Sequence, residues 1–138
     1  MQPPDPFANF IVLIAREIFQ GAFGSLIGTV FLRAAFAWLE KRHVRFGYAY
    51  VTVFGATLAN ILLGNILGFL VASATHSMTA VNFAALAFFP VNFIIFAAFI
   101  RTRHAVPFGR ACLLSLITLA LSLVIVGGIL LIAIMFVK

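Results

Sequence analysis

Apolar residues in this chain run in long blocks broken by short polar corners. No Asp, Glu, Lys or Arg occurs from Phe46 to Ile100, and none from Ala111 to Val137. A membrane-spanning helix needs about 20 consecutive apolar residues. The first block therefore holds two spans and a turn, the second holds one, and a helix before Glu40 brings the total to four. The expected spans are 18–39, 47–72, 80–100 and 108–137, in a single membrane domain over 1–138. They form two antiparallel hairpins, 18–72 and 80–137, because short turns favour antiparallel neighbours.

The first apolar stretch is longer than one crossing requires. Asp5 is placed to cap a helix that has Pro6 in its first turn. From Phe7 to Leu39 the pattern stays helical, which at 1.5 Å per residue is about 50 Å against a hydrocarbon core of about 30 Å. Residues 7–17 are accordingly expected as an N-terminal interfacial helix or extension, with a bend at Gly21 and Gly24. Asn9, Arg16 and Gln20 share one side of it at helical spacing. The alternative is a span over 7–32, which buries Arg16 and Glu17 in lipid at a cost of several kcal/mol unless they are paired. Pro90 withdraws the hydrogen bond to the Leu86 carbonyl and predicts a kink in the third span. Pro107 suits the first position of the fourth.

Composition agrees with this reading. Of the 138 residues 64% are hydrophobic and 9% charged, where soluble domains carry about 25% charged residues. The formal net charge is +6, which on a soluble protein would point to nucleic acid. Here seven of the nine basic residues (Arg33, Lys41, Arg42, Arg45, Arg101, Arg103, Arg110) cluster at two short corners. Basic residues at span ends favour the cytoplasmic side. The corners 40–46 and 101–110 are thus expected in the cytoplasm and both termini on the other side, in a cytoplasmic or bacterial inner membrane. Trp38, Tyr48 and Tyr50 flank the first corner, as an aromatic belt does. The first residues lack the basic region of a signal peptide and are expected to be retained. Cys112 is the only cysteine, so no internal disulfide can form.

The two corners resemble each other. Arg42-His43 and Arg103-His104 are each followed by Phe-Gly-x-Ala, at Phe46–Ala49 and Phe108–Ala111, and Gly64-Asn65-Ile66-Leu67 parallels Gly127-Gly128-Ile129-Leu130. This pattern fits a duplicated hairpin with an axis along the membrane normal.

Catalytic chemistry has no residue set to rest on. Asp5, Glu17 and Glu40 are the only carboxylates and are widely scattered, and no metal-ligand or nucleophile–base spacing occurs. No enzyme activity and no cofactor are expected. Small residues recur as Gly24-x-x-x-Gly28 and as Ala56, Asn60, Gly64 and Gly68, a spacing that lets helix backbones approach closely in lipid. Asn60, Asn65, Asn82 and Asn92 are the strongest polar features inside spans. They serve either as interhelical hydrogen bonders, worth about 0.6–2 kcal/mol each, or as the lining of a polar path. Arg42, His43, Arg103 and His104 are candidates for contact with an anionic lipid or a partner.

Gly24-x-x-x-Gly28 ahead of Arg33, followed by Gly55-Ala56-Thr57-Leu58-Ala59-Asn60, resembles the first two helices of the small four-helix fluoride channels. The third helix departs from that family. Phe83 to Pro90 lacks its glycine-rich break and its hydroxyls, and the chain is not assigned to it.

The expected function is a non-catalytic subunit or scaffold, packed in a larger or homo-oligomeric membrane complex. The alternative is a small oligomeric channel or transporter for an ion or small solute. The expected partners are the lipid bilayer and other membrane subunits or further copies of the chain. No segment is large enough to hold a nucleic acid.

Overall fold

A computed structural model describes residues 5–137, so the proline-rich start at 1–4 lies outside the described residues. The fold is all-helical: α1 is Pro6–Leu39, α2 Phe46–Thr75, α3 Met78–His104 and α4 Phe108–Phe136. Each helix is long and apolar enough to cross a membrane. Asp5 caps α1, its side chain accepting from the Phe7 N–H at 3.0 Å, and Pro6 occupies the first helical position.

Several boundaries differ from the expected ones. Residues 7–17 continue in the same helix as 18–39, with helical structure unbroken through Gly21 and Gly24. The polar stretch expected as a turn over 73–79 contracts to His76 and Ser77, because α2 runs on to Thr75 and the Ser77 hydroxyl caps α3 by accepting from Ala80 N–H. Pro107 stands just outside α4 as its cap residue. Helix α3 continues through Pro90.

The helices form a ring. α1 lies against α2 and α4, and α3 lies against the same two. Among the described residues the diagonal pairs do not bring their backbones together. The ring is closed at one end only. Ala35, Ala49, Ala97 and Ala111 have no exposed surface, and their small side chains let the helices converge there. Phe36, Leu32, Ile100 and Leu114 fill the space between them. By contrast, no residue of 7–24, 57–96 or 119–137 is buried. The bundle is therefore tight beside the two basic corners and open at the other end.

Both basic corners lie at the closed end and are tied to each other. Arg42 Nη2 donates to the His104 carbonyl at 3.1 Å, and Arg110 pairs with Glu40 at 2.8 Å.

Candidate functional site

The open end encloses a polar cleft between α1, α2 and α3. Its volume is about 560 Å³, and the polar side chains on its wall are Glu17, Gln20, Thr57, Asn60, Asn65 and Asn92. Deeper in, where all four helices contribute, a second cavity of about 230 Å³ adds Ser115, Thr118 and Ser122. Thr57, Asn60 and Asn92 line both, so the two spaces adjoin along one polar seam. No Lys or Arg lines either space.

The cleft exists because one face of α2 is small. Gly64 and Gly68 present no side chain; a Cβ at Gly64 would come no closer than 3.9 Å to Phe88, and one at Gly68 would meet nothing within 4 Å. Expected as packing residues, these two glycines instead widen a gap. Close helix contact occurs elsewhere. A Cβ at Gly28 would meet Val53 Cγ1 at 3.0 Å, and one at Gly21 would meet Ile61 and Thr57 at the same distance. Ala56 is buried, whereas Gly24 is exposed and faces open space.

At the outer level Asn65 Nδ2 donates to Glu17 Oε2 at 2.6 Å and to its own helix at the Ile61 carbonyl at 2.8 Å. Among the described residues Glu17 has no other hydrogen bond and no salt bridge; the one ion pair present is Arg110–Glu40. At the inner level the amide oxygens of Asn60 and Asn92 are buried and have no hydrogen-bond partner. Asn60 falls at the middle of α2, Asn92 at the middle of α3 and Ser122 at the middle of α4. The orphaned carbonyls therefore sit at half the height of the bundle, where lipid offers them nothing. A buried amide left without a partner costs several kcal/mol in such surroundings.

Of the four asparagines expected as polar features, Asn60, Asn65 and Asn92 meet in the cleft. Asn82 does not: it is exposed on α3 and lines neither space. Glu17 and Gln20, expected at an interface, belong to the cleft wall. The signal for Glu17 was present in its spacing. Glu17, Gly21, Ser25 and Gly28 follow one helical face, the face that α1 turns to α2 through Gly21 and Gly28 and through Ser25 Oγ, 3.3 Å from Thr57 Oγ1.

The Arg-His pairs of the two corners do not form a common anion site. His43 is exposed, while the His104 ring is buried against Phe36 and Tyr48. Thr52 Oγ1 donates to the Tyr48 carbonyl at 3.0 Å, and its contact with His104 Nε2 is 2.9 Å. A hydroxyl has one proton, so here His104 Nε2–H donates to Thr52. Arg103 stacks over the Tyr48 ring at 4.7 Å, and the Tyr48 hydroxyl donates to the Arg103 carbonyl. These groups clamp the start of α2 to the end of α3.

Comparison with protein-family models, with curated proteins and with solved structures finds no match to this chain.

Proposed function

We propose that this chain is a protomer of a small membrane channel or transporter whose polar cleft receives a small solute. The observation that carries the reading is the pair of orphaned amide oxygens on Asn60 and Asn92, at mid-height of helices long enough to span a bilayer. Polar groups at that depth need water or a solute to satisfy them, and midplane sites between helices are where transporters bind their cargo. The close-packed layer around Phe36, Leu32 and Ile100 blocks the path at the basic end, so a second conformation opens that end during transport.

By the basic-residue rule the closed end faces the cytoplasm, and the cleft opens on the opposite side with the start of α1 and the end of α4. The chain is a duplicated hairpin in this proposal. The buried positions of α2 and α4 support it: Ala49, Thr52, Val53 and Ala56 correspond, at one constant offset, to Ala111, Leu114, Ser115 and Thr118. The same offset aligns Phe46-Gly47 with Phe108-Gly109.

A second reading is favoured by α4. Beyond Ser122 this helix has no buried residue, and Leu123, Val124, Leu131 and Met135 are largely exposed. A face left bare by its own chain suits a scaffold subunit that packs against another copy or another membrane protein.

Cysteine substitution separates the two. In a Cys112→Ser background, Asn60→Cys and Ser122→Cys react with a charged, membrane-impermeant thiol reagent if the seam is wet, whereas Ile94→Cys and Leu123→Cys, exposed on the outer surface at similar height, do not. Equal protection of all four positions removes the solute-path reading and leaves the scaffold.

A further inference from the structure

We infer that the solute admitted to the cleft is a small monovalent cation, with the Glu17 carboxylate as its counter-charge and the amide oxygens of Asn60 and Asn92 as its ligands deeper in. The inference rests on the proposed reading of the cleft as a solute path.

The first ground is the sign of the lining. Among the described residues the lining leaves without partners the two buried amide oxygens, the Nδ2 groups of the same two asparagines, and most of the acceptor capacity of a carboxylate that receives a single hydrogen bond. An ionised carboxylate can accept about four. No Lys or Arg lines either space to serve as the missing donor. An anion entering here would meet a like charge at Glu17. A neutral solute would leave the carboxylate without compensation, which membrane-depth charges require.

The second ground is position. Asn65 lies ten residues before the end of α2 at Thr75, so the Glu17–Asn65 pair sits about 15 Å inside that end of the helix. Asn60 lies five residues further in, about 7–8 Å along the axis. The cleft thus offers an outer carboxylate station and an inner carbonyl station in line. Oxygen ligands at separate, individually modest sites are how cations are held yet released.

The third ground is valence. Among the described residues no group of three His, Cys, Asp or Glu side chains comes together. Calcium and magnesium sites draw on several carboxylates or on substrate phosphates. One carboxylate with neutral amides matches a single positive charge. Bare alkali ions and ammonium-type ions share this chemistry, the former coordinated by the oxygens and the latter hydrogen-bonded to them.

Carbodiimide modification tests the inference on the unaltered protein. Glu17 is one of three carboxyl side chains, with Asp5 and Glu40 as internal controls, and peptide mass spectrometry reads each separately. The protein in liposomes is treated with dicyclohexylcarbodiimide in sodium, potassium, ammonium or methylammonium chloride, each against N-methylglucamine at equal ionic strength. The expected result is that a small cation slows modification of Glu17 alone, by about ten-fold at ten times its dissociation constant. Sodium or potassium acting alone marks a coordinated ion; ammonium or methylammonium acting alone marks a hydrogen-bonded one. The same cation crosses the liposome membrane, and Glu17→Gln lowers its flux to that of empty liposomes while the variant keeps the thermal unfolding of the parent.

Flux of fluoride, chloride or a neutral solute without cation protection of Glu17 overturns the cation and leaves the solute path standing. Protection without flux of any solute keeps the cation site and removes transport. Neither protection nor flux overturns both.

Discussion

Asn65 on α2 donates to the carboxylate of Glu17 on α1 at 2.6 Å, a side-chain bond between the open halves of these two helices. Asn65→Leu is expected to lower stability by about 1 kcal/mol, within the range of interhelical hydrogen bonds in membranes. Glu17→Gln keeps an acceptor oxygen for the Asn65 amide and should unfold as the parent does. Asn82→Leu, at an exposed position, should cost nothing. Unfolding of the purified protein in mixed detergent–SDS micelles ranks the three, and equal losses at Asn65 and Asn82 would contradict the pairing.

Two glycines set the distance between α1 and α2. Leucine at position 21 or 28 would place a Cβ 3.0 Å from Ile61 and Thr57, or from Val53, with the rest of the side chain still to be housed. Gly21→Leu and Gly28→Leu are expected to destabilise by about 1–3 kcal/mol through overpacking. Gly24→Leu points to open space and should leave the fold unharmed. The same unfolding titration separates these positions, and a loss at Gly24 equal to that at Gly28 would show that the α1–α2 contact lies elsewhere.

The clamp at the closed end depends on Thr52. Thr52→Val keeps the shape but removes the oxygen that accepts from His104 Nε2–H, leaving a buried ring nitrogen unpaired. The expected cost is about 1–3 kcal/mol, and Thr52→Ser should recover most of it. If the closed end is the gate of the proposed transport cycle, Thr52→Val also raises solute leak through liposomes, which Thr52→Ser does not. Unfolding and leak measured on the same preparations check both outcomes.

Much of the architecture could be read along the chain. Charge-free blocks around Asn60, Asn92 and Ser122 specify helices of spanning length, because in lipid every backbone group must be satisfied within its own segment. The Asp5-Pro6 start was equally legible, since capping is a contact between neighbours in sequence. The helix ends were less so. Ser73 to Thr75 look like a turn by residue type, yet they are helical, their hydroxyls folding back on the carbonyls of their own helix, Ser73 on Phe69 and Thr75 on Val71.

What the linear order could not specify is rotation about each helix axis. Asn82 and Asn92 are the same residue type on one helix, yet one is exposed and the other lines the cleft. His43 and His104 follow arginine in matching corners, yet one is exposed and the other buried against Thr52. Apolar faces all round each helix give no preferred inward side in lipid. That choice fell to the small residues, Gly21 and Gly28 against α2 and the alanines at the closed end, which decide how near the backbones approach. The sequence by itself determined four spans and the position of their basic corners. Only tertiary packing decided that Glu17, Asn60, Asn65 and Asn92 share one cleft, because convergence depends on where neighbouring helices touch, and composition does not encode that.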